Sequence, residues 1–455
     1  MVQTAEALTL SRRAVEELSA RHEEPEWLLR RRLEAWRLFE EAPMPDPLSE
    51  EWKRTDATRL TLEGLLPFAP PREAIDGPAG LPAALRSLWD EREELAGRLV
   101  QHDSDIVYGA LDQELAGRGV VFADLHTAAR EHPETLREHL LSVVTAAEWK
   151  YLSLHGALWS GGCLVYVPQG VEVELPLEYG AGLTTPRLGL FPHLLIVAEP
   201  QSKVTVIEDG TSAVFRNREP GTRNQAPRPD NVISGAVEVI AREGAQVRFV
   251  DVQRWGPSVQ SFSTMRASLA KSASFQAILL GLGGGLTKSR LDVLLREEGS
   301  RAELLGLFLG SADQHFDYDT RQDHIAPHTE SDLLFKAALT DRASLAWNGV
   351  VDVRKTASQA SANQTSRNLL LSDQASASPT PILEISAYDV RRCSHGATVG
   401  PVDPEQSFYL QSRGIPADEA ERMLVEGFFA EVLERVPSDR LRRRISAVLS
   451  AKLGW

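Results

Sequence analysis

The sequence predicts a mainly β protein in which a parallel β-helix lies between two α-helical zones. Three observations support this fold class. Apolar residues recur at helical spacing near both ends of the 455-residue chain, and this periodicity disappears between about residues 156 and 389. In that middle zone, short alternating apolar runs are separated by Gly, Ser, Asp and Asn, as in strands bounded by turns. A weak repeat of small residues before these runs is the third observation.

The amino-terminal zone, residues 1–155, is predicted to be a helical domain. Its clearest helix opens near Pro25, where a proline costs no hydrogen bond because the first N–H groups of a helix have no partner. Prolines from residue 43 onward end this helix. We expect two further helices, over residues 83–100 and 125–151. The apolar face of the first helix consists of Trp27, Leu28, Leu33, Trp36 and Phe39.

The middle zone, residues 156–389, is predicted to form the β-helix. A small or turn-forming residue precedes one strand after another, and aligning seven such positions gives intervals of 28 to 41 residues. Such intervals fit stacked coils whose connecting loops differ in length. A β-sandwich stays an alternative, although few neighbouring strands are joined by the Asn-Gly or Asp-Gly turns that hairpins favour. The aligned positions are Val171, Val204, Ala245, Ala273, Ala302, Ala343 and Ala375.

The last zone, residues 390–455, is predicted to finish the core and to continue as a pair of helices. Apolar residues at four-residue spacing, including Leu424 and Phe428, form the stripe of the first helix, which ends at Pro437. The second helix follows over residues 440–453. About 40 residues are too few to form a core of their own. The pair must therefore pack against the rest of the chain or against another protein, and the spacing leaves both open.

The composition excludes several functional classes. Lys and Arg number 49 against 64 Asp and Glu, and the net charge of −15 argues against non-specific binding to nucleic acid. No apolar run approaches the roughly 18–20 residues of a membrane helix, and no secretory signal is visible, so we expect a cytoplasmic protein without a membrane partner. With two cysteines, Cys163 and Cys393, neither a disulfide scaffold nor a self-contained Cys-rich zinc or iron–sulfur site is expected.

Two motifs in the middle zone suggest chemistry at first sight. Three histidines and four aspartates between Asp313 and His328 could ligate zinc or iron. Pro327 disfavours the helix that would align His324 with His328, so polar coil turns are the simpler interpretation. The glycine-rich segment 281–289 carries Thr where a phosphate-binding loop needs Gly before Lys, and its glycines are interpreted as permitting a tight turn.

Two pairs of side chains are candidates for catalysis. Cys393 and His395 are two residues apart and would share one face of a strand, so a thiolate–imidazole pair is conceivable. A half-buried cysteine beside a surface histidine is the simpler interpretation of that spacing. Glu172 and Glu174 would also share a strand face. Because glycoside hydrolysis uses two carboxylates in a cleft, a carbohydrate-active β-helix enzyme stays an alternative.

Residues 363–415 resemble a known family. The segment contains Asp389-Val-Arg-Arg-Cys-Ser-His-Gly-Ala-Thr-Val-Gly400 and Phe408-Tyr-Leu-Gln-Ser-Arg-Gly-Ile415. It is similar to the SufB/SufD family of iron–sulfur cluster assembly proteins, and the likeness runs over about residues 25–436. The form of the motif around His395, the Met44-Pro45 dipeptide and the low cysteine content resemble the SufD branch more than the SufB branch.

The resemblance implies a right-handed parallel β-helix between helical domains, and a scaffold subunit rather than an enzyme. It implies a complex with a SufB-type subunit and with SufC, an ABC-type ATPase. His395 would be a ligand of a transient iron–sulfur cluster at the interface with SufB, and Cys393 a second, weaker candidate. The carboxy-terminal helices would dock SufC through Tyr409, Arg413, Leu424 and Phe428. A SufB-type scaffold that binds its own cluster, a homodimer, and a flavin on the complex stay open.

Overall fold

Two long β-sheets dominate the computed structural model, which describes residues 9–49, 51–56, 62–89, 94–213 and 231–453. Strands and helices are numbered in chain order. In spatial order, the first sheet consists of β2 (Asp105–Leu111), β1 (Gly97–His102), β5 (Leu177–Leu183), β8 (Lys203–Ser212), β10 (Gln246–Arg254), β12 (Ser274–Gly281), β14 (Arg301–Gly310), β16 (Glu330–Leu339), β18 (Ser361–Leu370) and β20 (Arg392–Pro401). The second sheet consists of β19 (Ser376–Ile385), β17 (Ser344–Val353), β15 (His315–His324), β13 (Leu286–Leu295), β11 (Val259–Leu269), β9 (Asn231–Ala241), β7 (His193–Ala198), β4 (Gly162–Val167) and β3 (Val121–Asp124), with β6 (Gly189–Leu190) beside β9.

From β7 onward the long strands alternate between the sheets, so each strand pairs with the strand two positions away in the chain. The described pairings are parallel except β1 with β2 and β3 with β4. This topology is a parallel β-helix, and it confirms the predicted fold class. The β-sandwich alternative is wrong, because its sheets would be built from antiparallel pairs.

The turn before each first-sheet strand from β8 to β18 has a residue with positive φ. These residues lie two positions before the strand, and Gly244 and Gly299 suit this position because they have no Cβ. The full set of these positive-φ residues is Gln201, Gly244, Ser272, Gly299, His328 and Gln359.

The repeat found in the sequence mixes the two sheets. Ala245 and Ala273 precede strands of the first sheet, whereas Ala343 and Ala375 precede strands of the second sheet. From β12 onward, first-sheet strands begin 27 to 31 residues apart. The 41-residue interval between Ala302 and Ala343 therefore does not measure a coil.

The amino-terminal zone contains strands as well as helices. The helix predicted over residues 83–100 is wrong: a short 3₁₀ helix, Ala83–Leu88, precedes β1, which forms a hairpin with β2 and pairs in parallel with β5. The helix predicted over residues 125–151 is divided into α4 and α5, and α6 begins only at its end. The helices are α1 (Arg12–Arg21), α2 (Glu26–Glu41), α3 (Gln113–Gly117), α4 (Leu125–Glu131), α5 (Pro133–His139) and α6 (Lys150–Leu158), with a second 3₁₀ helix at Pro78–Gly80.

Three helices follow the β-helix: α7 (Pro404–Ser412), α8 (Ala417–Leu433) and α9 (Asp439–Leu453). The predicted pair is α8 and α9, and it packs on the outer face of the first sheet. Val425, Phe429, Ile445 and Leu449 are buried there against apolar side chains of β8 to β16. Ion pairs reinforce this contact, with Arg444 2.8 Å from Asp209. Of the two alternatives left open by the spacing, packing on the rest of the chain is the one observed.

The division of the chain near residues 155 and 389 stays a prediction, since one apolar cluster joins α2 and α6 to β4 and β7. The last strand of the β-helix extends to Pro401. In the described ranges, no helix has both the length and the apolar character needed to cross a membrane.

Candidate functional site at the open end of the β-helix

The β-helix finishes in two strands with free edges. In the part of the chain that the structure describes, β19 pairs with β17 alone and β20 pairs with β18 alone. Most side chains of both strands are exposed or half-buried, and they include the apolar residues Ile382, Ile385 and Val399. An exposed strand edge presents unpaired N–H and C=O groups, to which another chain can add a strand. Within the described ranges, this end therefore offers two unpaired strand edges to a second chain.

Cys393 and His395 both lie on β20. Their register partners on β18 are Ala362 and Gln364, which are 1% and 0% exposed. Alternate residues of a strand share a face, so the two candidates continue the interior column of the β-helix to its open end. Cys393 is half-buried against the apolar cluster of Val351 and its neighbours, whereas His395 is exposed. The structure thus brings these two predicted site residues onto one face.

The thiol of Cys393 is not a ready nucleophile. Burial raises its pKa, and a backbone hydrogen bond with Ala362 offsets this only in part. Cys393 is therefore protonated at neutral pH in the isolated chain. No hydrogen bond or ion pair to the His395 imidazole occurs within the described residues, so a preformed thiolate–imidazole pair is absent there. Nor do three His, Cys, Asp or Glu side chains gather there in a way that could hold a metal ion.

The histidines and aspartates between Asp313 and His328 are used in the coils. His315 contacts Thr55 and Ser344, at 3.0 and 2.8 Å. His324 is buried and hydrogen-bonded to Thr329 and Ser331, and His328 lies in a turn with positive φ. The aspartates form ion pairs with cations of neighbouring coils: Asp313 with Arg342, Asp317 and Asp319 with Lys288, and Asp323 with Arg354. These contacts support the interpretation as polar coil turns.

The glycine-rich segment is a tight turn between β12 and β13. A Cβ on Gly283 would lie 2.4 Å from the backbone of Trp255, and one on Gly285 would lie 2.2 Å from Pro257. Glycine is needed here for close packing of backbone against backbone. Lys288, which would hold phosphate in a nucleotide-binding loop, lies buried between two aspartates.

The four predicted interface residues lie on α7, at its carboxy-terminal cap and on α8. Tyr409 and Arg413 are exposed, and the guanidinium of Arg413 lies 5.2 Å from the centre of the Tyr409 ring. Leu424 and Phe428 are half-buried. Phe428 packs beside the first sheet with Lys336 5.1 Å from its ring centre. The stripe predicted to meet a partner is thus partly occupied by the chain itself.

The polar interior beneath His395 was not predicted from the sequence. Gln364, Ser366 and Asn368 all point inward from β18 and are buried. Their alternation in the segment 363–368 was the available signal, but interior and exterior faces of a polar strand look alike in sequence.

Comparisons with known proteins agree with this architecture. Residues 182–428 match the family model described as "SUF system FeS cluster assembly, SufBD core domain", and residues 93–178 match "SufBD protein N-terminal region".

Relatives of both branches cover nearly the whole chain. The chain is 32% identical to the iron–sulfur cluster assembly protein SufD of Bacillus subtilis, over 98% of both chains. It is 28% identical to SufB of the same organism, over 98% of this chain and 94% of the relative. A SufBD family protein of Staphylococcus epidermidis is 29% identical with the same coverage. The chain is nearly equally similar to relatives of both branches, so sequence identity distinguishes SufD from SufB only weakly. The chain belongs to the SufB/SufD family of iron–sulfur cluster assembly proteins.

Proposed function

We propose that this chain is a SufD-type scaffold subunit, without catalytic activity of its own, in a cytoplasmic complex that assembles iron–sulfur clusters. The observation that carries the proposal is the open end of the β-helix, where His395 and Cys393 continue the interior column on a free edge strand. Family membership supports a role in iron–sulfur cluster assembly. The slightly higher sequence identity to a SufD than to a SufB supports assignment to the SufD branch.

The two side chains suit a shared cluster site. Neutral imidazole is a serviceable iron ligand, and a thiol becomes one when metal binding displaces its proton. An iron–sulfur cluster is commonly held by four protein ligands, so His395 and Cys393 leave a site that needs ligands from a second chain. We propose that a SufB-type subunit supplies them by adding its own strands to β19 and β20. A homodimer through the same edges is the corresponding assembly when SufB is missing.

ATP would act through a separate subunit. The glycine-rich turn lacks the features of a phosphate loop, so we assign nucleotide binding to SufC. Exposed Tyr409 and Arg413, together with the outer side of α8, are the proposed docking surface. The ion pair of Lys336 with Glu431, at 2.7 Å, joins α8 to β16. Movement of the ATPase would then be transmitted through α8 to the sheet that ends in β20.

The first experiment counts iron and acid-labile sulfide in the reconstituted complex of this chain with SufB and SufC. We expect His395→Ala to assemble normally and to lose most of the cluster. His328→Ala, which removes an exposed histidine at a coil corner, is the matched control and should keep it. Equal cluster content in His395→Ala and wild type would overturn the ligand role.

A second experiment tests SufC docking. Arg413→Glu reverses a charge at the exposed carboxy-terminal cap of α7 and should weaken binding of isolated SufC, measured by calorimetry. Lys271→Glu makes the same change at an exposed coil turn and should leave the affinity unchanged. Unchanged affinity in both Arg413→Glu and Tyr409→Ala would place the docking surface elsewhere.

A further inference from the structure

A line of buried polar side chains crosses the interior of the β-helix just below its open end. The line begins in the turn before β16, passes between β15 of the second sheet and β16 of the first sheet, and ends on β18. Its members are 0% to 6% exposed: Thr329, His324, Ser331, Gln322 and Gln364.

These side chains form one continuous chain of hydrogen bonds. It begins at the backbone carbonyl of Ala326, which accepts from the Thr329 hydroxyl at 3.0 Å. The two nitrogens of His324 lie 2.8 Å from the Thr329 and Ser331 hydroxyl oxygens. Gln322 Nε2 donates to Ser331 Oγ at 2.7 Å. Gln364 Nε2 donates to Gln322 Oε1 at 3.0 Å.

The backbone carbonyl fixes the direction of every bond in this chain, because it can only accept. Thr329 donates its proton to the carbonyl, so its oxygen accepts from Nδ1–H of His324. Burial lowers the pKa of His324 to about 4, so the ring is neutral and its Nε2 accepts from the Ser331 hydroxyl.

The same logic continues to the open end. Ser331 has used its proton, so its oxygen accepts from the amide of Gln322, whose own oxygen then accepts from Gln364. Turning the Gln364 amide over would set two carbonyl oxygens against each other. The oxygen of Gln364 is therefore held away from Gln322.

This last oxygen is a buried acceptor without a hydrogen bond in the described part of the chain. Buried polar atoms are nearly always paired, so such an atom indicates a missing donor. The register partner of Gln364 on β20 is His395. Neighbouring strands are about 4.8 Å apart, which brings an imidazole on β20 within reach of a Gln side chain on β18.

We propose that Gln364 is a positioning residue for His395, its Oε1 accepting one imidazole N–H so that the other ring nitrogen faces the interface with its lone pair free. This inference rests on the proposed role of His395 as an iron ligand. Metal-binding histidines generally donate their second N–H to such an acceptor, which selects the tautomer and orients the ring. The chain of hydrogen bonds would anchor that orientation to the backbone of the β-helix.

The test compares Gln364→Leu, which removes the acceptor at similar volume, with Gln364→Glu, which keeps an acceptor oxygen. Gln253→Leu is the matched control, because Gln253 is another buried interior glutamine with an unpaired oxygen. Each variant of this chain is labelled with ¹⁵N and assembled with unlabelled SufB and SufC. The first readout is Fe²⁺ affinity by anaerobic titration. The second is the imidazole ¹⁵N shifts of His395 in the metal-free, sedimented complex, with the signal identified by its loss in His395→Ala.

We expect wild type to show one dominant tautomer of His395. Gln364→Leu should show a mixture and bind Fe²⁺ about 10- to 100-fold more weakly. Gln364→Glu should restore one tautomer and most of the affinity, whereas Gln253→Leu should resemble wild type. If His395→Ala loses iron while Gln364→Leu keeps wild-type affinity and tautomer, the positioning role is overturned and the proposed function survives. If His395→Ala keeps wild-type Fe²⁺ affinity, the ligand role itself fails.

Discussion

The two ends of the β-helix are built from the same coil but finish differently. At the start, the antiparallel hairpin of β1 and β2 and the short strand β3 interrupt the parallel stacking, and Leu115, Val120 and Phe122 join the interior cluster. At the other end, β19 and β20 simply stop, with their outer edges unpaired in the described residues. A covered interior stabilises the isolated chain, whereas an uncovered interior favours the binding of a second chain.

The interior changes character between the same two ends. Near the start it is mostly apolar, with Leu177, Leu194 and Val206 fully buried. Below the open end it carries Gln364 and Ser366 at equally buried positions. Polar atoms in a core need partners. At the start, the side chain of Gln101 is hydrogen-bonded to Ser160, Gly162 and Tyr179, whereas Gln364 Oε1 has no hydrogen bond in the described residues. The two ends therefore differ in whether the buried polar atoms are paired within the described part of the chain.

The largest expected effect lies at the covered start. Arg32 is fully buried, pairs with Glu24 at 2.7 Å and lies 3.9 Å from the Trp159 ring centre. Arg32→Met should lower the free energy of unfolding by about 3–5 kcal/mol, because the buried carboxylate of Glu24 loses its guanidinium partner and keeps only the contact with His126. Arg30→Met, at an exposed ion pair with Glu26, should cost less than about 1 kcal/mol. Urea unfolding measures both, and equal costs would mean that the start is not held by this buried pair.

A pH-dependent effect, smaller per pH unit than the loss expected at Arg32, is expected on the side of the β-helix. Lys452 of α9 donates to the carbonyls of Leu282 and Leu309, and burial lowers its pKa to about 7. An unfolded lysine titrates near 10.4, so between about pH 7 and 10 only the unfolded state holds the proton. The contribution of Lys452 to the stability of α9 docking should therefore rise with pH in that window, by up to about 1.4 kcal/mol per unit.

Lys452→Met should remove this dependence. Hydrogen–deuterium exchange of α9 peptides, corrected for the intrinsic pH dependence of exchange, measures it in both chains. Parallel pH profiles for wild type and Lys452→Met would show that the ammonium is solvated and that docking does not depend on its protonation.

The smallest effect on stability is expected at the open end. Val399 is 44% exposed on β20, so Val399→Lys should change the free energy of unfolding by less than about 0.5 kcal/mol. The same variant should nevertheless weaken association with the SufB-type subunit, because a lysine at an edge strand opposes strand addition. Leu175→Lys, 42% exposed and just before β5 at the start, is the control. Association that is weakened equally by both variants would argue against the open end as the interface.

Helices with a strong local signal were predicted well. Pro25 marks the start of α2 as expected, and the apolar stripes of α8 and α9 place both helices within a few residues. The strand β1 was missed because its partner β5 lies about 80 residues later, and this pairing outweighed a local pattern that favoured helix. The repeat was misaligned because turns on both sides of a coil use similar small residues.

The sequence by itself determined the family, the parallel β-helix between helical segments, and the placement of Cys393 and His395 on one strand face, because motif, turn chemistry and period-two alternation are local properties. The tertiary structure alone decided which faces of polar strands turn inward, that α8 and α9 cover the first sheet, and that the chain of hydrogen bonds ends at Gln364 beside His395. These features depend on register between strands some 30 residues apart, and register is set by the packing of the whole coil rather than by any local segment.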